Sequence, residues 1–283
     1  MKMKVLVIGA SGQLGFDIIY ELKLNNIDCI GCDSKVLDIT NKDSVDSFIR
    51  DVMPTHIINC AGYTKVDLAE DNIDLCRKIN VIGTKNIVSN CINYNIPIVH
   101  FSTDYVFDGT KKTPYEVDDE KNPLSVYGKS KYDSELEVEK FDKFFIIRIS
   151  WVFGVNGNNF VNTMVNLSKT RDVVSVVKDQ IGSPTYSYDV SKLVIDMIKT
   201  DNYGVYHATN EGFVSFADFA REIFKLTNKN IKVENILTKD FNSKAKRPLN
   251  SRLDKISLVN NGFKLLPNWE DALKRYIKQK NIV

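Results

Sequence analysis

Short apolar runs and helix-period patterns alternate along the first half of the chain. Strands are predicted at Lys4–Ile8, Asp28–Cys32, His56–Asn59, Ile96–Phe101 and Phe144–Ile149. Helical patterns fall between them, at about Leu14–Asn25, Lys42–Met53, Asp74–Tyr94 and Ser125–Lys140. Such alternation implies βαβ units, hence a parallel sheet with helices on both faces. Right-handed crossovers make that sheet doubly wound, with its ligand at the carboxyl ends of the strands.

Beyond Trp151 the rhythm changes. Val155–Asn159 reads as a loop, Phe160–Ser168 as a helix and Val173–Val177 as a short strand. A turn-rich segment, Asp179–Thr185, precedes a helix at Tyr188–Lys199. A strand at Gly204–Ala208, a helix at Ser215–Leu226 and a polar stretch follow, before a final helix at Trp269–Lys278. The pattern suggests a first domain of residues 1–150 plus about 172–203. A smaller, discontinuous substrate-binding domain would take 151–171 and 204–283.

Composition narrows the class without naming a ligand. The 283 residues are 43% hydrophobic and 26% charged, with a net charge of +2, as in ordinary globular proteins. Nothing in that balance calls for nucleic acid or a membrane surface. The apolar run after Met1-Lys-Met-Lys4 is too short for a signal peptide and ends in a glycine turn. No stretch approaches the roughly 18 apolar residues of a spanning helix. A cytoplasmic protein is expected. Five cysteines, an odd number, suggest no disulfide framework. Cys29 and Cys32 have CxxC spacing, but three residues apart on a strand they face opposite ways. His56, His100 and His207 lie at strand edges without metal-ligand spacing, so they read as structural and no metal is expected.

Gly9, Gly12 and Gly15 follow the first apolar run and open an amphipathic helix. At this GxxGxxG spacing Gly9 allows a tight turn, Gly12 lets backbone approach a pyrophosphate, and Gly15 lets helix pack closely on strand. The helix N-terminus adds free N–H groups and partial positive charge for phosphate. The sheet is therefore expected to be of Rossmann type and to bind a dinucleotide. Asp33, at the end of the second strand, is placed to accept from the adenosine ribose hydroxyls, which favours NADH. Lys35 is placed to take the extra phosphate of NADPH, so both coenzymes stay open.

Tyr127 and Lys131 have YxxxK spacing and share one face of a helix that Ser125 can cap. A phenol near pKa 10 is a poor acid–base group at neutral pH, and a nearby ammonium is expected to lower it. Thr103, after the fourth strand, offers a hydroxyl to orient Tyr127 and the reacting oxygen. These three groups meet the needs of hydride transfer at a carbonyl, which requires close approach and a proton donor at oxygen.

The run Phe101–Gly109 (FSTDYVFDG), the glycine loop and Pro123–Lys131 resemble the extended short-chain dehydrogenase/reductases, and within them the dTDP-4-dehydrorhamnose reductase family. The likeness extends through Leu37–Thr40, Asn59–Thr64, Val66-Asp67, Arg148–Phe153 and Gly157–Phe160. It continues through Asp179–Thr185, Arg247-Pro248 with Ser251, and Leu266–Trp269. It implies NAD(P)H-dependent reduction of the C4 ketone of dTDP-4-dehydro-L-rhamnose to dTDP-L-rhamnose. Carried over by motif, Gly12, Gln13 and Leu14 cradle the coenzyme phosphates. Asp38 and Ile39 flank the adenine, and Gly62, Tyr63 and Thr64 line the path to nicotinamide. Thr103 and Asp104 contact the sugar, Trp151 walls its pocket, and Tyr127 gives a proton to O4 while Lys131 grips the ribose. Arg247 is a candidate partner for the substrate diphosphate.

Members of that family often form magnesium-linked dimers through acidic side chains. Here the matching places hold Asp17 and Asp189, and Ala272–Lys278 is basic without an acid, so a metal-bridged dimer is not expected and monomer or homodimer stays open. Three rival readings remain. One is a reductase or epimerase of another nucleotide 6-deoxyhexose. A 4,6-dehydratase would need an Asp-Glu pair after the threonine, where this chain has Asp104-Tyr105. The third is a non-catalytic binding subunit resembling the regulatory subunit of methionine adenosyltransferase.

Overall fold

The apolar runs of the first half become strands, buried along most of their length except at Asp28–Cys32. The computed structural model describes residues 2–282. Strands β1 (Lys4–Ile8), β2 (Asp28–Cys32), β3 (His56–Asn59), β4 (Ile98–Thr103) and β5 (Phe144–Ile149) join Gly204–His207 in one six-stranded sheet. Every pairing in it is parallel. Parallel strands buried on both faces read as continuous apolar runs, and Val5, Leu6, Val7 and Ile8 are all excluded from solvent.

The sheet runs Gly204–His207, β5, β4, β3, β1, β2, so the winding reverses between β1 and β3. Helix α1 (Gln13–Leu24) packs on one face. Helices α2 (Lys42–Val52), α3 (Val66–Ala69), α4 (Ile73–Arg77), α5 (Thr84–Tyr94) and α6 (Val126–Val138) follow in the chain. Val45 and Ile49 of α2, Ile87, Val88 and Cys91 of α5 and Val138 of α6 fill the core on the other face. The helix expected over Asp74–Tyr94 is interrupted. A π-helical stretch, Lys78–Gly83, separates α4 from α5. Asn80 lies inside it and turns its amide toward the backbone of Tyr63.

A second hydrophobic cluster collects the rest of the chain around aromatic rings. Phe153, Tyr186, Phe219, Trp269 and Tyr276 pack together there with Val174, Val176 and Ile223. Two expected boundaries are corrected. Val173–Val177, assigned above to the first domain, pairs with Lys232–Ile236 and belongs to this second cluster. Gly204–His207, assigned to the second domain, is the edge of the main sheet. A strand's register partner is a tertiary fact, and both segments look alike as sequence. The helix Ser187–Met197 stays with the first unit, its Val190, Leu193 and Val194 packed in the core that α1 shares. Arg275 of the last helix grips Asp189 with two hydrogen bonds, at 2.8 and 2.7 Å, and ties the two units together.

Candidate active site

The carboxyl ends of β1 and β3, where the winding reverses, open into a cavity of about 520 Å³. Open α/β sheets bind ligands at such a switch point. The β1 turn explains the glycines. Gly9 has φ +83°, and a Cβ there would lie 2.7 Å from the backbone of Ala61. A Cβ on Gly15 would come within 2.3 Å of the Gly9 carbonyl, so helix and turn can touch only through glycine. Gly12, the N-cap of α1, has no capping side chain, which leaves the first N–H groups of the helix unpaired and facing the cavity mouth. A Cβ there would meet only the Gly9 oxygen, at 3.2 Å. Gln13 is held by Val152 O at 3.1 Å and Asn159 at 3.1 Å, across the seam between the two units.

Ser125 caps α6 by accepting from Gly128 N at 3.1 Å, as its sequence position suggests. That helix carries Tyr127 and Lys131 into the cavity beside Thr103 and Asp104 from the end of β4. Tyr105 packs edge-on against Tyr127, with ring centroids 5.6 Å apart. Trp151 forms one wall, with φ +49° and its ring stacked on Phe216. The cavity thus brings together Gly12, Gln13, Leu14, Gly62, Thr64, Thr103, Asp104, Tyr127, Lys131 and Trp151.

Other expected residues stand outside this lining. Gly9 and Gly15 shape the turn behind it. Asp33 borders a second hollow between α1 and β2, where its Oδ1 accepts from Lys35 N at 2.9 Å. Asp38 accepts from Thr40, and Ile39 packs against Gly83. Tyr63 is clasped by Asn80, whose Oδ1 accepts its N–H at 2.7 Å. Arg247 donates to Asp67 at 2.5 Å.

The electrostatics differ from expectation in one respect. Burial raises the Tyr127 phenol, and Thr103 pulls it back only in part. Instead of the net lowering expected from the ammonium, burial prevails, and Tyr127 stays a neutral phenol, a proton donor. Lys131 itself is pushed down to about 8 by burial, against an upward pull from Glu135. Asp104 is pushed up to about 6 by burial, with Ser251 and Thr103 opposing. The Thr103 hydroxyl donates to Asp104 Oδ1 at 3.0 Å and accepts from Tyr105 N at 3.2 Å.

Three residues here were given no part in the site by the sequence. His100, expected at a strand edge, sits inside β4 with its Nε2 3.2 Å from Lys131 Nζ. Asn59 holds its other ring nitrogen, and Asn80 holds the loop through Tyr63. For His100 and Asn80 the sequence signal was polarity at positions that pattern as buried, and for Asn59 its place at the head of the Asn59–Thr64 likeness. Among the described residues no cluster of three or more His, Cys, Asp or Glu is placed to hold a metal. Nor, among the described residues, is any helix long and apolar enough to cross a membrane.

A dinucleotide fits what is present. Gly12 leaves an open cradle at a helix N-terminus, and two buried polar atoms that line the cavity, Ser102 Oγ and Asp104 Oδ2, have no partner.

Residues 3–282 match the family described as RmlD substrate binding domain. The chain is 43% identical to a dTDP-4-dehydrorhamnose reductase of Aggregatibacter actinomycetemcomitans, over 96% of this chain and 97% of that one. A crystal structure of a dTDP-4-dehydrorhamnose reductase from Clostridium acetobutylicum superposes with a TM-score of 0.96 at 43% identity, covering 99% of this chain and 100% of that one. Another, from Bacillus anthracis in complex with NADP, superposes equally well at 41% identity, over 99% and 100% of the two chains.

Proposed function

From its membership of the RmlD substrate binding domain family, to which the match over residues 3–282 assigns the chain, we infer an NAD(P)H-dependent reductase. It reduces the C4 ketone of dTDP-4-dehydro-L-rhamnose to give dTDP-L-rhamnose. The observation that carries the reading is the convergence of Thr103, Tyr127 and Lys131 in one cavity with the glycine turn of α1.

Bound NAD(P)H supplies the hydride to C4. The protein's part is to hold, orient and protonate. First-turn N–H groups of Gln13 and Leu14 take the pyrophosphate, helped by the partial positive charge of α1. Gly62, Tyr63 and Thr64 border the way to nicotinamide, and Asn80 fixes that loop. Asp33, Asp38 and Ile39 belong to the adenosine end. The Asp33 carboxylate suits a free ribose hydroxyl and Lys35 suits a phosphate, which supports use of either coenzyme.

Tyr127, a neutral phenol at working pH, donates its proton to O4 as the alkoxide develops. The Lys131 ammonium then steadies the phenolate left behind. Thr103 and Asp104 hold the sugar and Trp151 closes its pocket. Arg247, now on the half-exposed Asp67, exchanges that carboxylate for the diphosphate. The aromatic second cluster supplies the sugar side and the six-stranded sheet the coenzyme side. Five unpaired cysteines support a cytoplasmic setting, and the net charge of +2 supports a small-molecule substrate rather than nucleic acid.

The test is coenzyme oxidation with dTDP-4-dehydro-L-rhamnose, followed by identification of the product sugar by NMR. Stoichiometric formation of dTDP-L-rhamnose is expected. Tight NAD(P)H binding without turnover, or a different 6-deoxyhexose, contradicts the reading.

A further inference from the structure

Beneath the catalytic helix runs a chain of hydrogen bonds whose direction can be read. Asn59, the last residue of β3, accepts the Ala61 backbone N–H on Oδ1 at 3.1 Å. That bond fixes the amide, and its Nδ2 faces Nδ1 of His100 at 3.2 Å. Nδ1 must then accept, which puts the imidazole proton on Nε2. Nε2 lies 3.0 Å from Ser134 Oγ, and that hydroxyl gives its own hydrogen to the Lys131 carbonyl at 2.6 Å. Every donor points the same way, from the loop after β3 to α6. His100 is completely buried, and burial with the neighbouring ammonium keeps its imidazole neutral.

Lys131 Nζ lies 3.2 Å from the same Nε2. An ammonium has three donors and no acceptor, so a ring nitrogen that already carries hydrogen offers it nothing. We propose that His100 is a positioning residue whose Nε2, its hydrogen given to Ser134, offers Lys131 no lone pair, leaving the lysine's protons for Tyr127 and the coenzyme ribose. An acceptor at this point would anchor the ammonium below the cavity floor. The other titratable groups around Lys131 leave it equally free. Cys60 and Cys76 are thiols that burial holds protonated, Tyr127 is a neutral phenol, and Glu135, one turn along α6, has both oxygens bonded to Arg148 and acts on Lys131 only through space. The consequence for catalysis rests on the reductase reading, whereas the tautomer is a property of the chain alone.

Histidine-selective NMR on the full chain decides the tautomer, with only three histidines to assign. His100 is expected as the Nε2–H form, and the Nδ1–H form would overturn the proposal. His100→Gln supplies an amide free to turn its carbonyl to Lys131, and His100→Phe supplies neither donor nor acceptor. In the glutamine variant the basic limb of the pH–rate profile should rise by about one pH unit, a tenfold change in lysine acidity. In the phenylalanine variant it should stay near the wild-type position. Melting temperatures show that each variant is folded. A folded glutamine variant with an unmoved limb, or a folded phenylalanine variant whose limb drops, contradicts the proposal. If the wild type does not turn over the sugar nucleotide, the reductase reading falls, and the tautomer still decides the direction of the chain.

Discussion

Two buried cations meet at α6, Lys131 on the helix itself and Arg148 on the neighbouring strand β5, and they are treated in opposite ways. Arg148 is met by Glu135 through two hydrogen bonds, 2.9 and 2.8 Å, with a third to Val117 O and His207 beside it. Lys131, one turn earlier than Glu135, has no carboxylate bonded to it and faces His100. The paired cation is structure: its charge is answered, and α6 is locked to β5. The unpaired one is chemistry. Burial without a bonded counter-charge brings its proton within reach of neutral pH, and the answering group must come from the ligand. Asp104 sits on the same unanswered side, with one carboxylate oxygen lacking a partner.

The largest effect that separates the two sides is on rate. Tyr127→Phe removes the proton donor and should lower kcat by about 10²–10⁴-fold, with the melting temperature nearly unchanged. On the paired side the effect should be on stability. Glu135→Gln leaves Arg148 charged and unanswered at 1% exposure, which should cost about 3–5 kcal/mol in urea unfolding.

The Asp104→Asn change runs the other way. Asp104 is raised from 3.8 to about 6, so the folded state prefers it protonated. Ionisation therefore destabilises the fold as pH rises through about 6, by on the order of 3 kcal/mol once complete. The asparagine variant should be more stable than wild type at neutral pH and lose that advantage at pH 4, while turnover falls. Equal stability at both pH values would mean that the carboxylate is solvated.

The smallest effect belongs to the loop clasp. Asn80→Ala frees Tyr63 and should raise the coenzyme KM roughly tenfold, or about 1–2 kcal/mol, with kcat little altered.

Sequence reached the parts of this site that are local. The turn at Gly9 and Gly15, the Ser125 cap and the shared face of Tyr127 and Lys131 are all set within a few residues, and each is where the pattern put it. What escaped depends on neighbours far along the chain. Asn80 acts across 17 residues from inside a π turn that interrupts an apparently continuous helix. His100 meets Lys131 across 31 residues, and nothing in its own strand marks it out. The expectation that Lys131 lowers Tyr127 treated spacing as if it fixed electrostatics. Desolvation, invisible to spacing, is the larger influence on both groups. Likewise the strand Val173–Val177 was legible as a strand, but its partner was not.

The contrast between the two cations is tested most directly by the pH dependence of kcat/KM for the coenzyme, which reports groups of the free enzyme. Lys131 must be charged to work and its value lies at about 8, so activity should fall as pH rises past 8. In Glu135→Gln that limb should move lower, because the carboxylate's upward pull is gone. A profile flat to pH 10 would contradict the account, since it would mean that Lys131 has found a counter-charge like the one Arg148 has.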